Sequence, residues 1–234
     1  YELKIGDVDL DALLPKTEEE VIAEKSEQAI DLSWMKDFNL KGLVSIKSVK
    51  ASNLTISNIN LPLELKDAQL KLTALKAELY EGDILSNVML DGRKSIASFS
   101  VNAKLNNVKA LPLVKDLMDK ELISGTANLS VDINGNGLDD LSIRKNTKGK
   151  GRFTFTDGAV QGVNVAELIR STYARIKGQT LPPSDAPAQT DFASFTGSFT
   201  LDNGVVDNSD LSLLSPLLRI SGNGQANIID ETVN

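Results

Sequence analysis

The sequence predicts a mainly β protein made of antiparallel strands with two or three short helices. Three observations carry that reading. Apolar and polar residues alternate over long stretches, which puts one set of side chains on each face of a strand. Two-residue turn pairs separate several of those stretches. Helical spacing is confined to short segments. Sheets with one apolar and one wet face are usually antiparallel.

Taken in order, residues 15–30 read as an insert with little to bury. Thr17 and Glu20 form a capping box for a helix to Gln28, but Val21 and Ile22 are its large apolar residues. Val44-Ser45-Ile46, Leu54-Thr55-Ile56 and Leu70-Lys71-Leu72 alternate as strands. The phase slips between Leu72-Ala74 and Leu75-Ala77-Leu79, so a bend is expected near Ala74. Asp91-Gly92 reads as a turn pair. From Ala97 to Leu105 the alternation is unbroken, with Phe99 and Val101 on the apolar side.

Pro112 suits the first turn of a helix to about Asp119. Ala127, Leu129, Val131 and Ile133 alternate again, as do Phe153 and Phe155. Asp157-Gly158 is a second turn pair. Asn164 caps a helix from Val165 to Lys177, with Glu167 completing the box and Gly178 at its end. Its stripe of Val165, Leu168, Ile169, Thr172 and Ile176 predicts that it covers one end of the sheet through Leu168 and Ile169. Residues 179–190, with Pro182, Pro183 and Pro187, read as a loop. Phe199 and Leu201, the pair Asn203-Gly204, and Leu211-Ser212-Leu213 close the pattern.

Composition excludes much chemistry. The 234 residues contain no histidine and no cysteine, which removes Ser-His-Asp and Cys-His catalysis, His-ligated zinc and thiolate metal sites. The net charge of −7 disfavours nucleic acid and broad attachment to anionic headgroups. No apolar run reaches the ~20 residues of a membrane span. The chain reads as one domain over 1–234, a soluble fragment whose anchor would lie outside it.

The best metal candidate is Asp132 to Asp140. Asp132, Asn134, Asn136, Gly137 and Asp140 fit a calcium loop, but Ile143 stands where a bidentate Glu is required. No tight calcium binding is expected, and no other metal or cofactor. The competing reading is a glycine-rich turn with Asp139 or Asp140 capping a short helix. Gly135–Gly137 and Gly149–Gly151 lack phosphate-loop spacing. No pair of carboxylates is singled out for hydrolysis, and one tryptophan, Trp34, is thin for sugar stacking. What remains is one-faced sheet. Leu70, Leu72, Phe99, Val101, Leu129, Val131, Phe153, Phe155, Phe199 and Leu201 make either the core of a sandwich or the lining of a groove for an apolar ligand.

Local motifs add a resemblance. Ala77-Glu-Leu79-Tyr80-Glu-Gly82 followed by Leu90-Asp91-Gly92-Arg93 resembles the "LYxG…LDxR" segment of the AsmA family of bacterial envelope proteins. Gly149-Lys-Gly151-Arg-Phe153 through Asp157-Gly158 to Gly162 and Asn164 is similar to its "GxGxFxxxDGxxxGxN" signature. Asp191-Phe192, Asn203-Gly204, Asp210-Leu211 and Ser215-Pro216 to Gly224 resemble its C-terminal block, and Val8 to Pro15 resembles the region's start.

The resemblance implies a strongly curved antiparallel sheet, an open groove or incomplete sandwich, on the periplasmic side of a Gram-negative inner membrane. It implies a non-enzymatic role in envelope biogenesis, with lipid acyl chains and envelope proteins as partners. Phospholipid movement between the membranes and outer-membrane protein assembly follow from the same likeness. The full-length protein would be anchored in the membrane outside this fragment. The alternatives are a structural or protein-binding scaffold without lipid, and a carboxylate hydrolase, which would need two carboxylates facing one cleft.

Overall fold

A computed structural model describes residues 1–13, 32–179, 187–216, 218–230 and 232–233. The expected helix at Thr17 to Gln28, and most of the proline-rich loop, lie outside those residues. Twelve strands form a single open sheet in which spatial order follows chain order. They are β1 (Glu2–Asp9), β2 (Leu40–Ala51), β3 (Leu54–Lys66), β4 (Gln69–Leu79), β5 (Gly82–Asp91) and β6 (Ser98–Lys109). Then come β7 (Thr126–Asn136), β8 (Lys148–Gln161), β9 (Gln189–Asp202), β10 (Val205–Leu214), β11 (Arg219–Asn227) and β12 (Thr232–Val233). The expected loop therefore ends before Gln189, where β9 begins.

The helices are α1 (Leu10–Leu13), α2 (Ala110–Met118), α3 (Asp140–Asn146) and α4 (Val165–Ile176), with a 3-10 turn at Ser33–Asp37. Among the described residues α2 and α4 match helices the sequence predicts, and α3 matches the short helix of the competing reading at Asp139 or Asp140. β1 lies parallel to β2, whereas every later neighbour is antiparallel. A parallel pair needs a long crossover, and residues 10–39 supply the length.

Four hairpins close through two residues at positive φ: Ser52-Asn53, Asp67-Ala68, Tyr80-Glu81 and Asn203-Gly204. This is the turn whose twist matches that of its strands. Two expected turn pairs do other work. Asp91 ends β5 ahead of a longer connection to Ser98. Asp157-Gly158 lies within β8, where Asp157 at φ 50° interrupts the alternation. The slip at Ala74 is a bulge. Ala74 has φ 56°, its N–H donates to Asn87 Oδ1, and the β4–β5 register shifts between Leu72 and Leu75. The shift returns Leu75, Ala77 and Leu79 to the face that carries Leu70 and Leu72.

The helix ends follow their sequence signals. Asn164 Oδ1 accepts the Glu167 N–H at 2.8 Å. At the other end Gly178 has φ 69° and donates to Arg175 O, while the Gln179 N–H reaches Ala174 O. That pair of bonds is a Schellman close. α2 starts at Ala110, two residues before Pro112, and Asp119 ends it in the left-handed region.

Four phenylalanines sit over glycines of the adjacent strand: Phe99 opposite Gly135, Phe199 opposite Gly151, Phe153 opposite Gly197 and Phe192 opposite Gly158. A Cβ at Gly135, Gly158 or Gly197 would stand 2.7 Å from the facing ring, and one at Gly151 closer still. The missing side chain is thus the seat of the ring, an arrangement that repairs the weakness of glycine in a strand. Gly151→Val must dislodge Phe199 and should cost about 1–3 kcal/mol of stability in urea unfolding. Gly6→Val on β1, where a Cβ meets nothing within 4 Å, should not lower stability. A Gly151→Val midpoint at or above the parent's would remove the seat from the account.

Candidate functional site: an uncovered apolar sheet face

Cross-strand register gathers the apolar residues into unbroken rows. One row runs Leu63, Leu72, Val88, Val101, Ile133, Gly149, Leu201, Val206 and Ala226. A second runs Ala77, Ile84, Leu105, Leu129, Phe153 and Gly197. A third runs Val108, Ala127, Phe155, Phe195, Leu213 and Ile220. Leu70 and Phe99 join through Leu90, and Val131 and Phe199 through Gly151. All ten residues singled out by alternation therefore lie on one face. β1 extends it, pairing Leu3 with Val44 and Ile5 with Ile46.

None of the ten is fully buried. Among the described residues there is no second sheet to make this face the core of a sandwich. Among the described residues a cluster of buried apolar side chains lies at one end: Met35 of the 3-10 turn packs with Leu65 and Ala68, against Leu32, Leu70 and Leu90. Elsewhere the face is covered by its own rings. Phe195 lies 5.4 Å from Phe153, 5.9 Å from Phe155 and 6.1 Å from Phe192. Phe195 escapes the sequence reading because Phe192 and Phe195 are three apart, out of strict alternation; two aromatic residues flanking a slip were the available signal.

The opposite face is wet. Lys104, Ser130, Arg152 and Ser198 form one of its rows. A shallow depression of about 510 Å³ there holds one acid, Asp132. Another, of about 290 Å³ between Ser95–Ala97 and the start of α3, also holds one, Asp139. Neither offers the two carboxylates a hydrolase needs. Asp132 to Asn136 belong to β7, and Asp139 caps α3 by accepting the Ser142 N–H at 2.8 Å. Hydrogen bonds from Ser142 hold that carboxyl below its ordinary value. Among the described residues no group of three acids converges as a metal site.

The motif residues prove to be fasteners. Asp91 accepts from Arg93 Nη2 at 2.6 Å and from Gln69 Nε2 at 3.0 Å. The Arg93 guanidinium, then Gln69, holds its carboxyl well below the usual carboxylate range. Tyr80 donates its hydroxyl to Asp116, tying the β4–β5 turn to α2. Burial, then Asp116, pushes that phenol up to about 12. Asp210 accepts from the Ser198 N–H at 2.6 Å and from Ser198 Oγ at 2.7 Å, filling the β9–β10 irregularity.

The stripe on α4 is not where the helix meets the sheet. Leu168 and Ile169 are 57% and 55% exposed, whereas Ala174 is buried. Sequence spacing reads a stripe but not its direction, and here the small side chain makes the contact.

The described residues define a class of mainly β protein, built as a single-layer open sheet with one apolar and one polar face. The chain belongs to the AsmA family, whose sequence profile matches residues 9–211. It is 24% identical over 198 residues to Protein AsmA of Escherichia coli K12, covering 85% of this chain and 32% of that protein. It is 29% identical over 120 residues to the AsmA family protein YhjG of the same organism, covering 50% of this chain and 17% of the relative. The chain thus spans about a third or less of each relative's length. No solved structure matches it.

The Asp91–Arg93 pair has a pH signature. A depressed carboxylate contributes stability that is present above the unfolded pKa of 3.8 and is lost as pH falls toward the folded value. Arg93→Ala should lower stability only slightly at pH 7, since solvent screens an ion pair whose guanidinium is exposed. It should also flatten the fall in stability below pH ~4, as read by urea unfolding across pH. An unchanged acid profile would deny the pair this role.

Proposed function

We propose that the apolar face is a groove floor that holds lipid acyl chains, and that the chain is a non-enzymatic module of envelope biogenesis. The observation that carries the reading is the apolar surface itself. It runs from β1 to β11 with no second layer over it among the described residues. Contiguous exposed apolar surface of this extent marks an interaction site in a protein that stays in solution. Acyl chains suit it because they ask for apolar contact without hydrogen bonds, and the face presents aliphatic side chains and flat-lying rings.

Family membership supports an envelope setting, in a protein facing the periplasm from the inner membrane of a Gram-negative cell. Movement of phospholipid between inner and outer membrane, with effects on outer-membrane protein assembly, is the fuller form of this reading. No helix among the described residues is long and apolar enough to cross a membrane.

The test is Val131→Asp. Val131 sits mid-face between Ala103 and Gly151, only half-buried. On an open floor the carboxylate stays hydrated, so the variant should melt within a few degrees of the parent and lose co-purifying lipid, measured by mass spectrometry of an organic extract. In a packed core the buried charge would unfold the protein. Unfolding, or a parent that carries no lipid while binding an envelope protein through this face, would favour the scaffold reading instead.

A further inference from the structure

The orientation of α4 is unusual for a surface helix. At about 100° per residue, Val165, Leu168, Ile169, Thr172, Tyr173 and Ile176 fall on one arc. The buried Ala174 falls opposite that arc, beside the partly buried Glu167 and Ser171. The helix therefore rests on the protein by its small and polar side and turns its apolar side to solvent. Ile176 is 78% exposed, Tyr173 57%, Leu168 57% and Ile169 55%. The orientation is built in. The Asn164 cap, the bond from the Val165 N–H to Thr190 Oγ1, and the glycine close at Gly178 fix both ends of the helix.

The charges on α4 are placed with respect to that arc. Arg175 borders it on one side, and Lys177 and Arg170 border it on the other. Lys177 Nζ stands 4.5 Å from the centroid of the Tyr173 ring, leaving its stem along the apolar side. The one acid, Glu167, lies on the protein side and pairs with Arg170. The helix is thus locally cationic on a chain of net charge −7. An apolar stripe edged by Arg and Lys, with an aromatic residue at the border, is the make-up of a helix that lies in the plane of a bilayer interface.

We infer that α4 docks this end of the sheet on an anionic phospholipid surface, with Leu168, Ile169, Tyr173 and Ile176 entering the headgroup–acyl boundary and Arg170, Arg175 and Lys177 on lipid phosphates. The other occupants of such a stripe, a protein or a second copy of the chain, do not call for cations on both of its borders. The docking does not depend on acyl chains occupying the sheet face, and the two are measured separately.

The experiment is flotation of the 234-residue chain with vesicles of phosphatidylglycerol and phosphatidylethanolamine, against vesicles of phosphatidylcholine alone. The parent should float with the first and scarcely with the second. Leu168→Ser/Ile169→Ser/Ile176→Ser should reduce binding roughly tenfold or more, because the apolar anchor is removed. Arg170→Ser/Arg175→Ser/Lys177→Ser should reduce it in a way that high salt reproduces in the parent. Because these side chains are already in water, both variants should keep the parent's melting temperature. Val131→Asp should float as the parent does, even when its co-purifying lipid is lost. Failure of the parent to float would overturn the inference. So would equal flotation of the triple variants, or a loss of self-association by them with vesicle binding unchanged.

Discussion

The structure depends on keeping one apolar face in phase through eleven strands that, among the described residues, have no second layer to correct an error. A one-residue slip sends every later side chain to the other face. In a sandwich the opposing sheet would resist that; here the ladder must do it alone. The irregular positions are where it does so. Ala74 and Asn107 take positive φ at register shifts that restore the apolar set to the common side, and Asp157 takes positive φ within β8. Side chains then hold the irregular backbone. Asn87 accepts from the Ala74 N–H, Asn128 from the Asn107 N–H, and Asp210 from the Ser198 N–H. The polar face is in this sense the skeleton of the apolar one.

A single layer also changes what stabilises the fold. Among the described residues the buried side chains are mostly small, and many sit near the strand ends: Met35, Leu65 and Ala68 at one end, Leu79, Val108 and Ala110 toward the other. Between them, cohesion comes from the hydrogen-bond ladder and from contacts within the face, such as rings lying on neighbouring glycines. Those rings cover backbone without building a second layer. A floor of this kind is both a stable sheet and an open surface, which is why the same residues serve fold and proposed function.

Much of this was legible in the sequence, and the exceptions have physical causes. Strict alternation from Ala97 to Leu105 and from Ala127 to Ile133 placed both strands and their faces. The helix at Val165 was readable because caps are local chemistry. The hairpins at Ser52-Asn53, Asp67-Ala68 and Tyr80-Glu81 were not, since three turns without glycine carry no strong local signal. Asp157-Gly158 misled because the same dipeptide serves a hairpin and an interruption within a strand. The parallel pairing of β1 depends on what a distant strand leaves free, which periodicity does not encode. Whether the apolar face is a core or a floor also lay beyond the sequence. Alternation fixes which residues share a face, not what stands above it.

The central claim is that this face is open to acyl chains while its reverse is not. The direct measurement places a photo-crosslinking amino acid at Leu129 or Phe153 on the apolar side, and at Ser130 or Lys104 on the polar side. The chain is then irradiated in cells labelled with radioactive phosphate and the purified protein is analysed for bound lipid. The account predicts crosslinked phospholipid from Leu129 and Phe153 and none from Ser130 or Lys104. Equal labelling of both faces, or labelling of neither in folded protein, would contradict it.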